Sequence, residues 1–278
     1  MNFLLLAIIS SALISIFMRV GTQKATNNIG MLTVNYIVCC IVSLFYIDGL
    51  AVLPQAEELP NNLLLGIFNG FLYLLSFVVF QANVKKNGVV LSSIFMRLGL
   101  LVPIVVSILV FDEMPTILQA IGFLIAIAAI ILINVKNEST EKVAGLGLII
   151  LLLTAGSADA MSKIFEEFGT NALSSQFLFY TFFTALILCV CLMIFKKQHI
   201  TKNEILFGAL VGIPNFFSAK FLLASLGKLP AVIVYPTFSV ATILVVTLSG
   251  IVLFKERLSK LQWLSFIEIA VALVLLNI

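Results

Sequence analysis

Ten apolar stretches run through this chain, at residues 2–20, 30–47, 63–82, 88–111, 116–134, 144–165, 174–195, 204–224, 231–254 and 261–278, and each is 18 to 24 residues long. About 20 apolar residues wound as a helix cross a hydrocarbon layer about 30 Å thick. No water reaches the backbone amides inside such a layer, so a spanning segment must satisfy its own hydrogen bonds, and stretches of this length do so as α-helices. The longest connection, 48–62, has 15 residues, too few for a folded soluble domain. Composition agrees. Hydrophobic residues make up 62% of the 278, charged residues 10%, and the mean hydropathy is +1.20, against about 25% charged in an ordinary soluble domain. The expected class is an all-α polytopic membrane protein with ten transmembrane helices in a lipid bilayer. The opening "MNFLLLAIISSALISIFMRV" lacks a basic start, and its apolar run exceeds that of a cleaved signal peptide, so it reads as the first helix.

The chain also repeats itself. "FDEMPTILQAIGF" begins at Phe111 and "FKERLSKLQWLSF" at Phe254. Phe111, Glu113, Leu118, Gln119, Phe123, Ala129, Leu132 and Asn134 match Phe254, Glu256, Leu261, Gln262, Phe266, Ala272, Leu275 and Asn277, eight identities in 24 ungapped positions. Glu and Gln are scarce here, so shared hydrophobicity does not account for the match. Upstream, Tyr36 aligns with Tyr180, Arg19 with Lys163, and Gly66, Gly70 and Ser76 with Gly208, Gly212 and Ser218. The reading is a tandem duplication of a five-helix unit, 1–135 and 144–278.

Five helices per copy is an odd number, so the second copy enters the membrane from the opposite side and the repeats are inverted. Charge supports this. The connection between the second and third spans carries Asp48, Glu57 and Glu58 and no base, whereas its equivalent between the seventh and eighth carries Lys196, Lys197 and Lys202. Odd-numbered connections hold 12 of the 16 Lys and Arg residues and even-numbered ones hold Lys163 and Lys228. By the positive-inside rule the odd connections face the cytoplasm and both termini face outward, in a cell (inner) membrane. Inverted repeats suit secondary transport, because one set of contacts used in two ways gives both an inward-open and an outward-open state.

The glutamate before the fifth span of each half, with Gln and an apolar run behind it, resembles the drug/metabolite transporter superfamily in its EamA-like ten-helix branch. The resemblance covers the whole chain, including a basic residue near the end of the first helix of each half, Arg19 and Lys163. It implies a carrier or exporter of small metabolites with a substrate site in a central cavity between the halves. Where a small residue usually precedes the glutamate, this chain has Asp112 and Lys255. Glu113 and Glu256 read as helix-entry carboxylates, which suit the positive end of a helix.

Ionisable side chains within spans are costly and point to function. Arg97, Lys220 and Glu268 lack charged counterparts at their repeat positions, which hold Val240, Val78 and Ile125. Arg97 and Lys220 are candidates to meet a carboxylate or phosphate of a substrate; buried pairing or snorkelling is the structural alternative. Asp159 and Glu268 are candidates to carry a coupled proton, although Asp159 and Lys163, four apart, also suit an ion pair along one helix face. Neutral polar residues add Asn69 and Tyr73, Tyr235 and Ser239, Asn215 beside Pro214, Tyr36 beside Asn35, and Tyr180 as substrate-binding candidates; such residues equally serve as interhelical glue. Pro103, Pro214 and Pro236 interrupt helical hydrogen bonding, and the Gly66/Gly70 and Gly208/Gly212 pairs suit close helix packing.

The expected function is secondary active transport, as an exporter, of a small polar or amphiphilic metabolite by alternating access. The alternative is a lipid flippase or an accessory membrane protein. A membrane enzyme is a weaker reading, since His199 stands alone and no GxSxG or HExxH motif appears. No nucleotide-binding motif, cofactor motif or metal-ligand cluster is present in the sequence. Cys39, Cys40, Cys189 and Cys191 read as free thiols, and a net charge of +3 does not suggest nucleic acid. A fused pair of halves needs no second copy to complete a cavity, so a monomer is expected.

Overall fold

The computed structural model describes residues 1–25, 27–134, 145–254 and 260–278. Lys136, Lys142, Lys255, Glu256 and Arg257, which entered the charge and repeat arguments, lie outside the described residues. Regular structure among the described residues is helical: α1 Asn2–Lys24, α2 Asn28–Leu44, α3 Leu59–Leu98, α4 Leu101–Phe111, α5 Ile117–Asn134, α6 Gly145–Phe168, α7 Ser174–Phe195, α8 Lys202–Leu226, α9 Ala231–Phe254 and α10 Lys260–Leu276, with short 3-10 turns at Asp48–Leu50 and Asn171–Leu173. Among the described residues six segments are long and apolar enough to cross a membrane: Asn2–Lys24, Leu59–Val84, Gly145–Phe168, Asn171–Phe195, Lys202–Leu226 and Ala231–Leu253. Four shorter apolar helices, Asn28–Leu44, Phe95–Phe111, Ile117–Leu132 and Trp263–Leu276, occupy the remaining expected spans.

One boundary differs from the sequence reading. The third and fourth spans share a 40-residue helix, α3, and the α-helical hydrogen bonding breaks at Gly99 and Leu100 instead of at 83–87. Pro103 explains the position. It has no N–H to offer the Gly99 carbonyl, and its ring crowds that same carbonyl. The tighter bonds Gly99 N–H to Met96 O and Val102 N–H to Gly99 O take over. Pro214 and Pro236, in contrast, are accommodated inside α8 and α9.

The described chain divides into two compact units, each drawn from both repeats. The first, Met1–Leu74 with Ile164–Ser225, holds α1, α2, the start of α3, α7 and α8. In it α2 packs along α7, the second helices of the two repeats. The second, Leu75–Lys163 with Leu226–Ile278, holds the rest of α3, α4, α5, most of α6, α9 and α10. In it α5 packs along α10, the fifth helices of the two repeats. Ser265, Ile269, Ala272 and Leu276 form the buried stripe of α10, and Gly122, Ala126 and Ala129 that of α5. Small residues set this distance: a Cβ on Gly122 would lie 2.8 Å from Leu275 Cβ.

Glycine pairs do the same work in the first unit. A Cβ on Gly66 would stand 2.6 Å from Tyr180 Cβ, and one on Gly70 would overlap the Thr181 carbonyl, so α3 lies directly on α7. On α8, a Cβ on Gly208 would stand 2.6 Å from Met31 O and one on Gly212 2.7 Å from Asn35 O, so α8 lies on α2. Each contact also carries a polar tie at its end. Asn62 Oδ1 accepts the Thr170 N–H at 3.0 Å, and Glu204 Oε1 accepts the Asn27 N–H at 3.0 Å. Asn62 and Glu204 are 142 residues apart, Asn27 and Thr170 are 143 apart, so the duplication has used the same tie twice, in exchanged directions. Overpacking a close contact costs about 1–3 kcal/mol. Gly212→Ala is therefore expected to lower the thermal unfolding midpoint of the purified protein by several degrees, whereas Gly227→Ala, with no atom within 4 Å of the added carbon, leaves it unchanged.

Candidate functional site

The second unit holds the expected charged residues Arg97, Asp159 and Glu268. Arg97 sits in the last turn of α3, partly buried, and forms no ion pair or side-chain hydrogen bond among the described residues. Two residues on, Gly99 meets Gly156 of α6 backbone to backbone: a Cβ on Gly99 would lie 2.9 Å from Gly156 N. Asp159 follows three residues further along α6. It is exposed, although Ala158, Ala160, Met161, Ser162 and Lys163 around it are buried. Glu268 lies on α10 with Oε2 buried and without a hydrogen-bond partner among the described residues.

The expected pair of Asp159 with Lys163 does not form. Lys163, 3% exposed, places Nζ 2.8 Å from Glu113 Oε1, and Glu113 is 16% exposed. The other carboxylate oxygen of Glu113, Oε2, accepts the N–H of Ala231, the first residue of α9, at 2.6 Å. Two correctly aimed charge-assisted bonds outcompete a same-helix pair, which is worth a few tenths of a kcal/mol. Nor does Glu113 mark the entry to its own helix. Thr116 and Gln119 do that in a reciprocal box, Thr116 N–H to Gln119 Oε1 at 3.0 Å and Gln119 N–H to Thr116 Oγ1 at 3.2 Å. The carboxylate serves the positive end of α9 instead. Tyr235, one turn into α9, donates its hydroxyl to the Asp159 carbonyl at 2.7 Å. Ser239, a further turn along, is half-buried.

In the first unit the neutral candidates gather on the buried faces of α2, α3, α7 and α8. Tyr36 and Tyr73 both place their rings 6.3 Å from that of Phe182. Asn69 donates to Thr181 Oγ1 at 3.3 Å, and its Oδ1 is buried without a partner among the described residues. Asn215, next to Pro214, donates to Asn35 Oδ1 at 3.1 Å, and Cys39 Sγ donates to the Gly212 carbonyl at 3.3 Å. Tyr180 binds the Val52 carbonyl in the connection after α2, which ties it to a loop. Lys220 has an aromatic partner: Nζ lies 3.0 Å from the centroid of Tyr46 and 5.9 Å from that of Phe216, a cation–π contact.

Sequence reasoning missed Phe182, Thr181, Tyr46 and Glu204. For Glu204 a signal existed, since Thr201 three residues ahead completes a Thr-x-x-Glu box and its N–H does reach Glu204 Oε2 at 2.9 Å. The others carried none beyond lying in or beside an apolar stretch.

The EamA-like transporter family matches residues 2–135 and, a second time, residues 143–278. This chain belongs to that family. It is a multi-pass membrane protein of transporter type, built as an all-helical pair of EamA-like repeats. A Haemophilus influenzae protein described only as uncharacterized is 27% identical over 280 residues, covering 96% of this chain and 94% of that one. A crystal structure matches with TM-score 0.79 over 99% of this chain and 96% of the other, at 15% identity, which shows a shared fold. The EamA-like pattern of a small residue before the glutamate also has a physical basis here. Asp112 ends α4 in the left-handed region, φ 54° and ψ 25°, and the turn sends Glu113 away from the α4 axis. Left-handed backbone costs a residue with Cβ about 1–2 kcal/mol, least for Gly, Asn and Asp. Asp112→Gly is expected to leave the unfolding midpoint unchanged, and Asp112→Val to lower it by several degrees in the same thermal scan.

Proposed function

We propose that this EamA-like protein is a secondary active exporter of a small polar or amphiphilic metabolite bearing an anionic group, working by alternating access between its two repeats. The observation that carries the reading is Arg97: a guanidinium within an apolar segment, with no counter-charge among the described residues. A charge in that position costs at least about 2.5 kcal/mol on insertion scales, and a carboxylate or phosphate supplied by substrate offsets it. Asp159, exposed on an otherwise buried stretch of α6, is the first candidate for the coupled proton, and Glu268 the second. Asn215, Tyr73, Tyr36, Ser239, Asn69, Tyr235 and Tyr180 are each proposed as residues able to hydrogen-bond a substrate. Lys220 is proposed as a second cation, held ready on Tyr46. We further propose that the protein works in the cell membrane as a monomer, with its odd-numbered connections in the cytoplasm and both termini outside.

A second reading, flipping of a lipid or similar amphiphile, is favoured by one feature. A groove of about 450 Å³ opens between α1 and α8, lined by Leu13, Phe17, Ile213, Phe217 and Phe221, with Ser10 at its polar point.

The two readings separate in proteoliposomes. Labelled amino acids, organic acids, sugar phosphates and cations are offered with and without a pH gradient, beside a fluorescent-phospholipid scrambling assay. Saturable flux of an anionic or zwitterionic solute is expected, reduced at least about tenfold by Arg97→Ala, the effect of losing one charge-assisted contact. Asp159→Asn is expected to abolish the response to the pH gradient while solute exchange continues. Flux unaffected by Arg97→Ala rules out the anion site; lipid scrambling without solute flux favours the second reading.

A further inference from the structure

We propose that Glu113 is the latch of a gate, a positioning residue whose release separates α6 from α9 and opens the space around Asp159. This rests on the alternating-access reading given above. Among the described residues two polar rungs join α6 and α9, one helical turn apart on each helix: Tyr235 to the Asp159 carbonyl, and Ala231 to Lys163. The first rung is a direct hydrogen bond. The second is bridged by Glu113, which belongs to neither helix and spends one oxygen on each partner. Take Glu113 away, and Lys163 loses the carboxylate at 2.8 Å and the Ala231 N–H loses its acceptor, so nothing bridges the second rung.

Three further features suit a part that engages and releases. Glu113 is carried by the five-residue connection 112–116, so it can leave without unwinding a helix. Helix α5 does not depend on it, because Thr116 and Gln119 cap that helix. And Pro236, immediately after the upper rung, has no N–H for the Val232 carbonyl, which gives the first turn of α9 a place to bend. Phe111 backs Lys163, its ring centroid 5.3 Å from Nζ, so the cation stays seated when the carboxylate departs.

The test uses the full-length protein in lipid nanodiscs, with Cys39, Cys40, Cys189 and Cys191 replaced by alanine and one reporter, either Ser162→Cys beside the latch or Leu148→Cys about 21 Å away along α6. Both reporter positions are buried, 9% and 1% exposed. Glu113→Gln keeps an acceptor for Ala231 and loses the charge; Lys163→Met loses only the cation. Each is expected to raise the maleimide labelling rate at 162 about tenfold or more, as a shift of open population by that factor requires, and to leave 148 unchanged. Glu113→Lys combined with Lys163→Glu is expected to return the rate most of the way, short of wild type because the new lysine cannot accept from Ala231. If the cysteine replacements prevent folding, hydrogen exchange of residues 231–235 against 145–150, in the otherwise native protein, makes the same comparison. An unchanged rate at 162 in both single variants overturns the latch, and so does an equal rise at both reporters, which would make the pair a general staple. Labelling needs no substrate: altered labelling in a protein that carries nothing keeps the latch and removes the carrier reading, and flux with unaltered labelling does the reverse.

Discussion

In hydrocarbon a leucine gains nothing by turning from lipid to protein, so the force that assembles soluble proteins is missing between these helices. Two substitutes remain, and the structure relies on both. One is close approach, which lets dispersion forces add up over many atoms; it needs glycine or alanine wherever a neighbouring backbone comes within about 3 Å of the Cβ position, as at Gly70, Gly156 and Gly212. The other is the polar bond, which has no competitor from water. Several buried polar residues accordingly tie two elements together, as Asn62, Asn83 and Glu204 do.

The duplication gives these bonds their arrangement. Asn62 and Glu204 stand at equivalent positions and make equivalent ties to the backbone of the opposite repeat, although one is neutral and the other a carboxylate. What is common to both is an acceptor oxygen at the start of a helix, and that is what the waiting N–H requires. Within each compact unit, helices of the two repeats alternate as neighbours, α2 with α7 and α5 with α10. Neither repeat has its own closed core, and the buried stripe of one is covered by the matching stripe of the other.

Symmetry ends at the charges. Arg97, Asp159 and Glu268 have no charged equivalents in the other repeat, and the structure gives their side chains no ion pair among the described residues. Lys163 and Glu113, which take part in the repeated pattern, are fully engaged with each other and with α9. On the proposed reading, charges that recur serve the scaffold, whose needs arise twice, and Arg97, Asp159 and Glu268 are the candidates for a solute or a proton.

The helices, their approximate ends, the duplication and the membrane setting were all legible in the sequence, because hydrophobic length and repetition are local properties that survive without knowledge of neighbours. The glycine pairs were legible too, since only a close approach accounts for that spacing. The partners were not. A lysine four residues after an aspartate reads as a same-helix pair, yet Lys163 binds Glu113, because a carboxylate 50 residues upstream is brought to it by a left-handed turn at Asp112. The break in the fourth span moved to Gly99 for a reason that Pro103 announced, while the continuity of α3 through 83–87 was not announced by any residue. Lys220 found Tyr46 rather than a carboxylate for the same reason that Asn215 found Asn35: which side chains meet depends on how helices rotate and cross, and that is set by summed packing along whole faces. Sequence alone determined that this chain must be a bundle of membrane helices folded twice over. Only the tertiary structure decided which polar groups are consumed in holding it together and which are left over, since that depends on distances between segments that the order of residues does not contain.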